Sequence, residues 1–225
     1  MRRQRFTPQT LVFPIDNPLM VAVADGLGGH PGGELASTLV VQELSRLASW
    51  LTDEDSIRAA LESSNSAVYD AADRDPACMG MGTTVAGVVL TAGNIVVFNV
   101  GDSRVYSMAE QGLTRLSVDD SPPLSPGETT TSIVTQTMGG NVNHTAIDPH
   151  VTTLPLEPGG RYLVCSDGLT DAITEAAIAS VLGQHHGLEA AVELWRAAMQ
   201  AGGPDNITLA LVEAEVTDEG TRDRE

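Results

Sequence analysis

Residues 83–100 read TTVAGVVL, TAGN and IVVFNV, two apolar runs rich in β-branched residues with a glycine between them. This pattern predicts two buried strands joined by a tight hairpin, and it restricts the chain to folds with a sheet interior. SRVYSM and GLTRLS, residues 103–108 and 112–117, continue the meander. Further strand patterns occur in HVTTLPL, RYLVCS and NITLALVEAEV. Helical spacing appears at Leu35, Leu39, Val40, Leu44, Leu47 and Leu51, predicting a helix over 34–51. Further helices are expected over 55–72, 174–182 and 188–200. Strands in hairpin clusters and helices in pairs argue against βαβ alternation and for an α+β fold of antiparallel sheets covered by helices. Three prolines in SVDDSPPLSPGETTTS, residues 117–132, mark an exposed loop at a sheet edge.

With 225 residues the chain suits one domain with a large core, assigned to 1–215, and a solvated, disordered tail at 216–225. Aromatic residues make up only 4%, so the core must come from Val, Leu, Ile and Ala. A formal charge of -18 argues against nucleic acid as a partner and suits cations. Cys78 and Cys165 are too few for a disulfide framework or a thiolate metal site and read as reduced thiols. Pro14, Asp16 and Pro18 interrupt the only apolar stretch near the basic start, and no run reaches membrane-spanning length. The expectation is a soluble, cytoplasmic monomer without a membrane partner.

The glycine-rich stretch VAVADGLGGHPGGELAS, residues 21–37, first suggests a phosphate cradle. Counting G-x-G-x-x-G from Gly26 puts Pro31 at the third glycine, and no Lys follows Gly33 as a P-loop requires. Both nucleotide motifs fail. Asp25 in VADG, Asp167 in CSDG and Asp205 in GPDN share another pattern, each at the junction of a buried strand and a loop. Singly each is a turn residue. Brought together they would repel one another unless a divalent cation intervened. Oxygen ligands without a His or Cys cluster point to Mg²⁺ or Mn²⁺. Two such ions sharing a bridging water would lower its pKa and supply a nucleophile for attack on phosphorus. His30 reads as a loop residue and Glu34 as a favourable charge at a helix N-terminus.

VADGLGGH, GMGTT, NVGDSR, LVCSDGLTD and GGPDNIT, in this order over residues 21–212, resemble the metal-dependent protein serine/threonine phosphatases, the PPM or type 2C group, in bacterial form. The resemblance implies a four-layer αββα sandwich, two stacked antiparallel β-sheets flanked by helices, with a two-metal centre at one end. It implies that Asp25 bridges two Mg²⁺ or Mn²⁺ ions and that the backbone carbonyl of Gly26 binds one of them. Asp167 and Asp205 would hold the other, with Asn206 supporting the ligands from behind. A metal-bridged water or hydroxide would hydrolyse phosphoserine and phosphothreonine in proteins, substrates of a Ser/Thr kinase in a signalling system. Asp102 of GDSR is expected to be structural.

The N-terminal segment departs from that family. In RFTPQT, Arg5 keeps the substrate-phosphate role, but Gln9 and Thr10 stand where the family has acids. Arg2 and Arg3 offer no register that restores them, and the strand that usually precedes this segment is short or missing. Gln9 is left as a neutral candidate ligand for a weakened second ion. A third family acid falls near Ala77, with Asp75 the nearest carboxylate. The flap, residues 117–140, is short and has Gln136 where the family has an arginine. These departures leave an alternative function: a pseudophosphatase with a weakened second metal site that binds a phosphoprotein or a kinase.

Overall fold

A computed structural model describes residues 8–14, 17–27, 31–123, 131 and 133–215. Arg5, with Arg2 and Arg3, His30, residues 124–130 and 132 of the proline-rich loop and the 216–225 tail lie outside the described residues.

The elements run β1 (Leu19–Val23), α1 (Pro31–Leu47), α2 (Glu54–Arg74), β2 (Gly82–Thr83), β3 (Val85–Thr91), β4 (Asn94–Val100) and β5 (Arg104–Ala109). They continue through β6 (Gly112–Arg115), β7 (Met138–Gly139), β8 (His150–Pro155), β9 (Arg161–Cys165), α3 (Asp167–Thr170), α4 (Glu175–Gln184), α5 (Gly187–Gln200) and β10 (Leu209–Glu213). One antiparallel sheet has the order β1-β3-β4-β8 and a second the order β10-β9-β5-β6, while β2 and β7 form a small ribbon.

Strand alternation explains how the layers stack. Along β3 and β4, Val85, Val89, Val96, Phe98 and Val100 share one cluster with Ala36, Val40 and Leu44 of α1 and Ile57, Leu61 and Val68 of α2. Their neighbours Ala86, Val88, Leu90, Ile95 and Val97 point the other way and meet Val105, Tyr162 and Val164 of the second sheet. Tyr106, Leu163 and Cys165 then cover Ile178, Leu182 and Leu194 of α4 and α5. The period-2 geometry of a strand thus feeds three apolar layers and gives the expected αββα sandwich. Because both faces of β3 and β4 are covered, these strands are apolar at nearly every position.

The hairpin forms as expected, with Thr91 paired to Asn94 and Gly93 at φ +89° in the turn. Helix α2 begins with a reciprocal capping box between Asp53 and Ser56. Three details differ from the sequence reading. SRVYSM and GLTRLS do not extend the β3-β4 meander but form β5 and β6 of the other sheet. Gly101, at φ +100°, turns the chain across, a change of sheet that strand propensity does not encode. Helix α1 begins at Pro31, so it contains the glycine pair instead of following it. The start of the proline-rich loop is anchored rather than free, because buried Ser117 accepts a hydrogen bond from the Val105 amide at 3.0 Å. Both cysteines are free thiols, and burial pushes that of Cys165 up to about 12. Among the described residues no helix is long and apolar enough to cross a membrane.

Candidate metal centre

Asp25 lies two residues past the end of β1, and the GMGTT segment fixes it. Its carbonyl accepts from Thr83 Oγ1 at 2.7 Å and from the Thr84 amide at 2.8 Å, while its own amide donates to Thr84 Oγ1 at 3.3 Å. With the main chain held on both sides, the carboxylate is left to meet other groups. Gly26 packs against the first turn of α1, where a Cβ would lie 2.2 Å from the Gly33 carbonyl oxygen. A Cβ on Gly33 would lie 2.5 Å from the Leu27 carbonyl oxygen. These glycines let two backbones touch and thereby aim Asp25.

Asp167 begins α3 at the end of β9, and Asp205 precedes β10, the strand paired with β9. Residues between them lock the two together. The Ser166 amide donates to the Thr208 carbonyl at 3.0 Å, and Ser166 Oγ accepts from the Thr208 amide at 3.2 Å. Gly168 lies so close to Asn206 that a Cβ would stand 2.1 Å from the Asn206 carbonyl oxygen. Asn206 acts through its backbone: its amide donates to Asp205 Oδ1 at 2.8 Å and its carbonyl accepts from Ser166 Oγ.

The electrostatics shows that these carboxylates converge. Burial, then the charge of Asp167, a hydrogen bond with it, and the charges of Asp205 and Asp102 push the Asp25 carboxyl up to about 7. Burial also raises Asp167, against which the Asp25 hydrogen bond works. Carboxylates crowded into a half-buried site raise one another in this way when no cation intervenes. Asp167 Oδ1 is buried without a hydrogen-bond partner among the described residues. A buried anionic oxygen of this kind is costly unless something positive meets it.

Asp102, for which a structural role is expected, lies beside this group. It is buried, and burial together with the charge of Asp167 pushes it up to about 6. Asp171 is raised by burial and by Asp167 as well. The only sequence signal for Asp102 was its place after the apolar β4 run, the strand-end position that singled out the other three aspartates. Asp75, proposed as the nearest acid to a third family position, instead accepts from the Ala77 amide at 3.0 Å and caps a short turn. Gln9 and Thr10 are exposed and have no hydrogen bond to the aspartates among the described residues. Gln136 serves the flap's attachment, with Nε2 donating to Asp120 Oδ2 at 2.8 Å, and Asp120 also accepts from the Gly101 amide at 2.8 Å.

Among the described residues, no three His, Cys, Asp or Glu side chains have the spacing of a finished metal cage. Asp167 Oδ1 is nonetheless buried without a hydrogen-bond partner among the described residues, and a cation would relieve both that oxygen and the repulsion among the carboxylates. The donor set fits hard cations. All the groups are oxygens, they lie near the ends of β1, β4, β9 and β10, and they include a pair whose conflict a dication removes.

A two-sheet αββα sandwich with aspartates gathered at its strand ends defines a class, and comparison with known proteins identifies it. The model of the family described as protein phosphatase 2C matches residues 12–208, and the chain belongs to that family. It is 30% identical over 214 residues to the serine/threonine protein phosphatase PstP of Mycobacterium tuberculosis, covering 86% of this chain and 40% of that protein. The chain thus spans well under half of that relative. It is also 30% identical over 222 residues to the serine/threonine phosphatase stp of Listeria monocytogenes, covering 91% of this chain and 88% of that protein. The crystal structure of the PstP catalytic domain in complex with two manganese ions superposes with a TM-score of 0.77 at 28% identity, covering 93% of this chain and 96% of that one. Nothing in these comparisons points to a catalytically silent binding module.

Proposed function

We propose that the chain is a metal-dependent phosphatase that removes phosphate from phosphoserine and phosphothreonine in proteins. The observation that carries the proposal is the half-buried Asp25-Asp167 pair, in which both carboxyls are pushed up and Asp167 Oδ1 has no partner among the described residues. Two Mg²⁺ or Mn²⁺ ions fit this arrangement, held by the carboxylates of Asp25, Asp167 and Asp205 and the backbone carbonyl of Gly26. The PstP structure with two manganese ions and the stp relative support the same reading. When bound, such cations offset the charge of a phosphoryl group and activate water.

The chain's own residues do the remaining work. Thr83 and Thr84 keep the Asp25 backbone in place, so its carboxylate can turn into the cluster without moving the strand. Ser166, Gly168 and Thr208 keep Asp167 in register with Asp205. Arg5 is the candidate for gripping the substrate phosphate, since a guanidinium matches two phosphate oxygens. With no acid at that N-terminal position, Gln9 is the candidate left for the second cation, so that ion should be held more weakly than the first.

Hydrolysis of an aryl phosphate and of a phosphothreonine peptide, with and without Mn²⁺, tests the proposal on the wild type, Asp25→Ala and Asp167→Ala. The expected result is metal-dependent activity in the wild type alone. Activity that survives chelation, or that both variants retain, refutes the mechanism. A wild type that binds phosphopeptide but never turns it over refutes the enzymatic reading.

A further inference from the structure

Helix α2 packs through Ile57, Leu61 and Val68, yet the same buried face carries an amide, Asn65, only 2% exposed. A polar side chain in that place costs stability unless its groups are bonded. Asn65 is bonded through both of its polar atoms. Its Oδ1 accepts from the Gly139 amide at 2.8 Å, and its Nδ2 donates to the Thr145 carbonyl at 2.9 Å. Tyr69, one turn further along α2 and also buried, donates its hydroxyl to the Gly139 carbonyl at 3.2 Å. Two side chains of α2 thus hold one distant glycine by its N–H and by its C=O.

Gly139 belongs to β7, the return arm of the flap, and only β2 separates it from the metal centre. Gly139 stands opposite Gly82 and Met138 opposite Thr83, and Thr83 in turn forms an antiparallel bridge with Gly26. These backbones are packed without slack. A Cβ on Gly139, which sits at φ +72°, would lie 2.5 Å from the Met81 carbonyl oxygen, and one on Gly82 would lie 2.6 Å from the Gly140 nitrogen. On the far side of β2, Thr83 Oγ1 and the Thr84 amide hold the Asp25 carbonyl. Close-packed backbones transmit a displacement instead of absorbing it, so a shift of β7 passes through β2 to Asp25 and Gly26.

We propose that Asn65 is a positioning residue for the metal centre: by clamping Gly139 and Thr145 to α2 it seats the flap's return arm on β2 and thereby fixes Asp25 and the carbonyl of Gly26. The inference rests on the phosphatase reading above, which assigns those two groups to the cations. It gives the buried amide a task that an aliphatic residue cannot perform, since one side chain must supply an acceptor to Gly139 and a donor to Thr145. Tyr69 supports the same glycine from the next turn. Groups that hold metal ligands in place commonly affect metal affinity and turnover by about tenfold or more although they never touch the ion.

Two measurements on the full chain test the proposal, both made well below the melting point of each variant. The first is amide hydrogen exchange of the metal-free protein, and the second is calorimetric titration with Mn²⁺. Leu61→Ala serves as the control, because it removes buried packing from the same helix without touching the flap. In Asn65→Ala the Thr84 amide, which is bonded to the Asp25 carbonyl, should exchange about tenfold faster than in wild type, while that of Val97 in the sheet interior is unchanged. Mn²⁺ should bind about tenfold more weakly, and kcat on an aryl phosphate should fall by a similar factor. Leu61→Ala should stay within about twofold of wild type in both measurements. Should Asn65→Ala fail to fold, Tyr69→Phe carries the test, since it loses only the hydroxyl that holds Gly139; its expected change is about threefold. If either measurement moves no further in Asn65→Ala, or in Tyr69→Phe where that variant stands in, than in Leu61→Ala, the inference is overturned and the phosphatase reading stands. A wild type that neither binds Mn²⁺ nor cleaves the aryl phosphate overturns both.

Discussion

Replacing Asp25 with Asn should make the metal-free protein more stable while abolishing metal-dependent turnover. In the folded chain Asp25 is pushed from the ordinary carboxylate value of 3.8 to about 7, chiefly by burial and by Asp167. A folded pKa above the unfolded one means that the neutral form is favoured in the native state. The associated stability is complete below the unfolded value and is lost as pH rises through the folded value. At about pH 8 the carboxylate must ionise inside the cluster, and at about 1.4 kcal/mol per pKa unit the full gap is worth up to about 4 kcal/mol. Part of this belongs jointly to Asp167, so the expected gain lies on the order of 2–4 kcal/mol. Asn keeps the side chain's size, and its amide can donate a hydrogen bond to the Asp167 carboxylate. For a domain of this size the gain corresponds to a rise in Tm of about 4–15 °C. The assay is thermal unfolding of both proteins with a chelator from about pH 8 to about pH 4, a window set by the two pKa values. The advantage of Asp25→Asn should be largest at high pH, shrink as pH falls through 7 and vanish near 4. Adding Mn²⁺ should reverse the order, because only the wild type gains the binding free energy of a complete site. A variant that is less stable than the wild type at every pH, by a constant amount, would refute the idea that these carboxylates are in conflict.

Other consequences can be tested separately. Gly168→Ala forces apart backbones that leave 2.1 Å for a Cβ; it should cost about 1–3 kcal/mol in chemical denaturation and, by displacing Asp167 from Asp205, lower kcat about 100-fold. Wild-type stability with unchanged kcat would show that the contact does not position the site. Calorimetric titration with Mn²⁺ should resolve one tight and one weak event, and Gln9→Glu should tighten the weak event. Two tight events in the wild type would remove the reason for assigning weakness to the N-terminal segment. Leu194→Ala, in the fully buried layer between α5 and the second sheet, should cost about 2–5 kcal/mol. Its kcat, measured well below its melting point, should stay near wild type because the layer lies behind the carboxylates.

The parts of the fold that were legible in the sequence are those fixed by short-range physics. The hairpin at Gly93 was legible because a two-residue turn between apolar runs admits few geometries. The start of α2 was placed within one residue of Glu54, where the capping box of Asp53 and Ser56, unread in the sequence, fixes it. The crossing at Gly101 was hidden because β4 and β5 have the same strand character, and only tertiary packing decides that they belong to different sheets. The same distinction separates the site residues. Asp25, Asp167 and Asp205 stood out as candidates because each follows or precedes a strand beside a turn residue, a local pattern repeated three times. Asp102 has that local pattern too, but its relevance comes from facing Asp167 across the gap between elements, and only the structure supplies that proximity. The role of the glycines was the least legible. Gly26 and Gly168 resembled flexible turn residues, yet each is fixed by an approach of 2.2 Å and 2.1 Å to a neighbouring backbone carbonyl oxygen. Both sit next to an aspartate, so the need for close packing and the need for a carboxylate meet at the same turn. A side chain at either glycine would therefore act on the acid beside it first. The Gly168→Ala variant thus examines the catalytic geometry as directly as substituting Asp167 does, while leaving every carboxylate in the chain.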